Sequence, residues 1–130
     1  FEFRPVEKTD FLHAQKYPPQ QQVWFRAVDR LPDDDVLHRC LLAYVSDFGL
    51  VATAARPHGV GFPAANLIMA SIDHAMWFHR TPRVDDWLLY AMDSPSASGA
   101  RGFARGSIYS RDGQLIASTA QEGLMRVVQS

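Results

Sequence analysis

The stretch DDDVLHRCLLAYVSDFGLVATAA, residues 33–55, decides the fold. Asp33, Asp34 and Asp35 suit a helix start, because carboxylates accept from the free amides of a first turn and oppose the positive end of the helix dipole. Leu37, Leu41, Tyr44, Phe48 and Val51 then recur at helical spacing. Val36, Cys40 and Ala43 form an adjacent stripe, so the expected apolar surface is wide, and such a helix is wrapped by other structure. Asp47 continues the second stripe, which should face inward. Two readings of this acid stay open on the residues alone: a helix-end carboxylate turned into water, or a base or water-positioning group poised by partial burial. Cys40, the lone cysteine, cannot form an internal disulfide, and its neighbours Leu41 and Leu42 suggest a small buried hydrophobe in a reducing compartment.

Downstream, Arg56-Pro57-His58-Gly59 and Gly61-Phe62-Pro63 end the helix with turn chemistry. The period then changes to that of strands, over residues 67–80, 86–93, 102–110 and 115–128, with Asp112-Gly113 as a hairpin turn. Small residues from Ser94 to Gly99 suggest a turn or a close backbone approach. Upstream, residues 23–29 alternate like a strand with one buried face and end before Pro32, whereas the polar stretch 9–22, with Pro18-Pro19 and three glutamines, reads as a linker or extended arm. Residues 1–6 also alternate. The expected organisation is therefore an amino-terminal strand and linker from a longer protein over residues 1–22, then one domain over residues 23–130. One long helix followed by a meander of antiparallel strands implies an α+β fold in which the sheet curls around the helix, the hotdog arrangement.

Composition narrows the function classes. With 130 residues, 47% apolar and 21% charged, the chain can enclose one core and is unlike a disordered segment. A formal net charge of −1, with scattered Lys and Arg, supplies no basic field, so no nucleic-acid partner is expected. No apolar run is long enough to span a bilayer and no leader pattern or Ser-Lys-Leu ending is present, which makes a cytoplasmic location the expectation. No Gly-x-Ser-x-Gly elbow or phosphate-binding glycine loop occurs. His74 and His79 point to opposite faces of the expected strand 67–80 with no further ligands beside them, so no metal is expected. Trp24, Trp77 and Trp87 read as core residues.

Strict alternation over residues 67–80 puts Ser71 and Asp73 on one face and His74 on the other. Gln121 shares a face with Ala117 and Thr119, and is either a buried amide that must be hydrogen-bonded or a solvent-facing side chain on an edge strand.

Six segments carry a family resemblance: Val23-Trp24-Phe25-Arg26, Ala43-Tyr44-Val45-Ser46-Asp47, Ser71-Ile72-Asp73-His74-Ala75-Met76-Trp77-Phe78-His79-Arg80, Trp87-Leu88-Leu89-Tyr90, Arg101-Gly102-Phe103-Ala104-Arg105-Gly106 and Ala117-Ser118-Thr119-Ala120-Gln121-Glu122-Gly123. In this order, over nearly the whole chain, they resemble the acyl-CoA thioesterase II family. The resemblance implies a protein of two fused hotdogs, of which this chain matches the second, with fatty acyl-CoA as substrate and no cofactor beyond the coenzyme A that the substrate carries. It also implies a missing amino-terminal half as partner, and self-association of a lone half through an exposed strand edge makes a homo-oligomer the further expectation. By position, the family's water-holding Asp, hydroxyl residue and Gln match Asp47, Ser71 and Gln121; the hydroxyl residue is commonly Thr, so Ser71 departs by one methyl, which leaves its rotamer freer. The implied chemistry is direct attack of water on the thioester carbonyl, with oxyanion donors expected on backbone amides near the helix or the loop after it. Asp73 and His74 are expected to be supporting or structural. Two rivals remain: a non-catalytic acyl-CoA-binding or assembly module, and an enoyl-CoA hydratase. The latter is disfavoured because its Asp and His lie four residues apart, a spacing not found around Asp47 or Asp73.

Overall fold

A computed structural model describes residues 1–6, 19–50, 53, 67–99 and 101–127. Its elements run β1 (Glu2–Pro5), β2 (Gln20–Arg26), α1 (Asp35–Ser46), β3 (Leu67–Ser71), β4 (Ala75–Phe78), β5 (Leu88–Ser98), β6 (Arg101–Ser110) and β7 (Leu115–Val127). All seven strands join one antiparallel sheet in the order β1-β2-β5-β6-β7-β3, with β4 also on β7. The sheet curls around α1, as a hotdog requires. Phe25, Leu88, Tyr90, Met92, Ala104, Ile108 and Ala117 from the sheet meet Leu42, Val45 and Leu50 in one core. Each fully buried large apolar side chain there contributes roughly 1.5–3 kcal/mol.

The acidic start behaves as expected, with Asp34 as N-cap accepting from the amides of Val36 and Leu37. The inward face does not. His38, Leu42, Val45 and Ser46 are buried, whereas Val36, Cys40 and Ala43 are exposed. His38 decides the rotation: its Nε2 lies 2.9 Å from the Pro32 carbonyl and its Nδ1 accepts from the Val84 amide, so a polar residue seats the inner stripe. Cys40 is accordingly exposed rather than buried.

The helix is also shorter than residues 33–55. It breaks at Asp47–Gly49, where Gly49 takes φ +87°, a conformation that suits glycine, and helical geometry returns at Leu50 and Thr53. The Gly49 carbonyl accepts from the Thr53 amide and hydroxyl and from Gln21 Nε2. Gln20–Gln22 are thus part of β2, not of a linker; residues 7–18, the rest of the expected arm, and residues 54–66, the expected loop, lie outside the described residues.

The strand expected over residues 67–80 is two strands. Ser71 pairs with Gly123 and Ala75 with Ala120, so four steps on one side face three on β7. The extra residue is a bulge at 72–74, held by the Ile72 and Asp73 amides, both donating to the Glu122 carbonyl, and by the Glu122 amide donating to Asp73 Oδ1. Strand β5 continues through the expected turn to Ser98, with a register shift between Asp93 and Ser96, and turns at Gly99. The tryptophans fall outside the core: Trp77 is exposed, Trp24 half-buried, and Trp87 packs beneath the guanidiniums of Arg4 and Arg26.

Candidate active site

The end of α1 brings three elements together. Asp47 follows the last helical residue, Ser71 ends β3, and Gln121 sits in β7 between β6 and the bulged pair β3/β4. Ser71 Oγ donates to Asp47 Oδ1 at 3.0 Å and accepts from Gln121 Nε2 at 3.3 Å. The three residues singled out from sequence therefore form one hydrogen-bond chain. Gln121 is buried and not on an edge strand, so of its two readings the buried, bonded amide holds. The Asp47 side chain is 47% exposed, so its carboxylate opens to solvent at the end of that chain.

His74 is the residue that alternation misplaced. The bulge turns it to the side of Ser71, with Nδ1 2.6 Å from Gln121 Oε1 and Nε2 2.8 Å from Ser46 Oγ. Its Nδ1 is also 4.0 Å from Asp47 Oδ1, too long for a hydrogen bond but close in a way that no sequence spacing announced. Ser46 Oγ in turn lies 2.8 Å from the Ala43 carbonyl, one turn back on α1.

Beneath this cluster, Tyr90 from β5 donates to the Ser46 carbonyl at 2.6 Å and meets Thr119 Oγ1 at 2.7 Å. Burial pushes its phenol well above the ordinary tyrosine range, so it stays protonated and keeps donating. Sequence reasoning placed Tyr90 and Thr119 in strands and gave neither a role. Beside the same helix end lies an apolar cavity of about 390 Å³ lined by Phe3, Val23, Phe25, Val45, Phe48 and Met92, among others. Among the described residues, no group of three or more metal-ligating side chains forms a candidate metal site.

Residues 1–124 match the profile of a family described as acyl-CoA thioesterase. The chain belongs to that family. It is 44% identical over 126 residues to acyl-CoA thioesterase 2 of Haemophilus influenzae, a match covering 97% of this chain and 44% of that protein. Acyl-coenzyme A thioesterase 8 of Homo sapiens is 39% identical over 127 residues, with 97% and 39% covered. The crystal structure of the acyl-CoA thioesterase II TesB2 from Mycobacterium marinum superposes with a TM-score of 0.82 at 46% identity, over 97% of this chain and 48% of the other. A thioesterase family protein from Silicibacter pomeroyi, 13% identical with a TM-score of 0.69, shares the fold alone. The chain thus spans less than half the length of the acyl-CoA thioesterases it matches.

Proposed function

We propose that this chain is the second hotdog of a two-hotdog acyl-CoA thioesterase, and that Asp47, Ser71 and Gln121 hold the water that attacks the thioester carbonyl. The observation that carries the reading is the continuous chain Gln121 Nε2 to Ser71 Oγ to Asp47 Oδ1, which ends on a solvent-open carboxylate. A carboxylate can take a proton from water as the nucleophile forms, while a hydroxyl and an amide restrict where that water sits. Free fatty acid and coenzyme A are the products, and no covalent acyl-enzyme is needed. The apolar cavity beside Phe48 and Val45 is the place for the acyl chain.

Apolar side chains left exposed at α1 and just after it support a covering role for the other half. Val36 and Tyr44 on α1 and Phe48 just past its end are 67%, 64% and 45% exposed, and a second hotdog is proposed to cover them. The hydratase reading loses further ground here. His74 does lie near Asp47, but both its ring nitrogens are engaged, by Gln121 and by Ser46, leaving neither to exchange a proton with substrate.

The test is thiol release from a series of acyl-CoA esters, followed for the full-length protein and its Asp47→Asn variant, with this chain alone alongside. The expected result is a kcat at least about 100-fold lower in the variant, the scale of general-base catalysis. Undiminished hydrolysis would remove Asp47 from the mechanism, and silence of the unsubstituted full-length protein would favour a binding module.

A further inference from the structure

The hydrogen-bond chain that ends on Asp47 begins beyond Gln121. A carboxylate only accepts, so the single Ser71 hydroxyl proton goes to Asp47, and Ser71 Oγ accepts from Gln121 Nε2. That order leaves Gln121 Oε1, not its amino group, facing the imidazole at 2.6 Å, so His74 Nδ1 must carry a proton to donate. A primary amide turned by half a rotation has nearly the same shape with donor and acceptor exchanged. In the exchanged state Oε1 would face Ser71 and compete with Asp47 for its proton. Gln121 is 1% exposed, so bulk water does not select between the two states.

We infer that His74 is a positioning residue: its Nδ1–H holds the Gln121 amide with the amino group toward Ser71, so that Ser71 keeps its one proton for Asp47. The other ring nitrogen is anchored on Ser46 Oγ, at the last turn of the same helix that presents Asp47. His74 therefore links the two ends of the water-holding chain through α1 and β7, and at 4.0 Å it does not hydrogen-bond Asp47 itself. The bulge at 72–74 exists in the same geometry, since without the extra residue His74 would face away. This inference rests on the water-holding role proposed above for Asp47, Ser71 and Gln121.

Replacement by two amides separates orientation from anchoring. The side-chain nitrogen of Asn can stand where Nδ1 stands, and that of Gln where Nε2 stands. Steady-state acyl-CoA hydrolysis and thermal unfolding are measured for the full-length protein and for His74→Ala, His74→Asn and His74→Gln. Expected is a kcat reduced at least about tenfold in the Ala and Gln variants with KM within about twofold of the parent, and most of the lost kcat recovered in the Asn variant. Equal activities for Asn and Gln, losses that simply follow Tm, or an unchanged kcat in His74→Ala would overturn the inference. Asp47→Asn is run beside them: if it abolishes hydrolysis while His74→Ala does not, only the role of His74 fails, whereas an active Asp47→Asn removes the reading on which that role rests.

Discussion

Ser71 carries two links of the cluster on one hydroxyl and has the least redundancy. Its hydroxyl has one proton and uses it on Asp47, while its oxygen accepts from Gln121. Replacing it with Ala breaks both links at once. A hydrogen bond to a charged group is worth about 1.5–3 kcal/mol, so if the bond matters to the transition state, Ser71→Ala should lower kcat by roughly 10- to 150-fold. Ser71→Thr keeps the hydroxyl, and the side chain sits at an exposed position. β-branching narrows the rotamers, so the Thr variant should retain or slightly exceed the parent kcat. The comparison is made by thiol release at saturating acyl-CoA, and an Ala variant with the parent kcat would take Ser71 out of the water-holding chain.

At the scale of elements, the strands with regular alternation were legible and the irregular junctions were not. The phase of Ala117, Thr119 and Gln121 along β7 follows directly from a period of two, and the sheet obeys it. One unannounced residue at 72–74 shifted the phase of His74, because a bulge is set by pairing with β7 and leaves little trace in the local sequence. The rotation of α1 was hidden for a related reason: two adjacent apolar stripes stood out, but the buried row His38, Leu42, Val45 and Ser46 belongs to neither, and polar His38 and Ser46 in it gave no apolar signal. Asp47, Ser71 and Gln121 were found through family resemblance, whereas pattern alone left Asp47 and Gln121 with two readings each. The place of β6 between β5 and β7 in the sheet makes a further element-scale prediction. Gly106 lies against Tyr90, and a Cβ there would overlap the ring and stand 2.9 Å from Thr119 Oγ1. Gly106→Ala should force the ring aside, weaken its bond to the Ser46 carbonyl and cost about 1–3 kcal/mol. A Tm lowered by several degrees together with a reduced kcat is expected, and a variant as stable as the parent would show that the strands yield without cost.

Across the whole molecule, the segment before α1 and the segment before β5 are locked by one carboxylate. Asp85 is 1% exposed as a side chain; it accepts from the Leu31 amide at 2.8 Å and from Arg83 Nε and Nη2 at 2.9 and 3.0 Å. Arg83 also reaches Asp33 and the Leu31 carbonyl, so one guanidinium ties residues 31–33 to residues 83–85. Burial by itself would raise the Asp85 carboxyl, but the Arg83 hydrogen bonds, the Leu31 amide and the nearby charges of Arg83 and Arg30 outweigh it and hold the group at about 2, below its ordinary 3.8. A carboxyl held lower in the folded state than in the unfolded chain adds stability above the unfolded value and loses it as pH falls toward the folded one. The shift corresponds to roughly 2 kcal/mol, fully present above about pH 5 and fading between about pH 4 and pH 2. Urea unfolding of the parent and of Asp85→Asn should therefore show a gap of about that size near neutral pH that narrows through the same acid window. A gap that keeps its size down to pH 2 would mean that the lock acts through shape and hydrogen bonding of a neutral side chain, and that charge at Asp85 contributes nothing to holding the entry of α1 against the sheet.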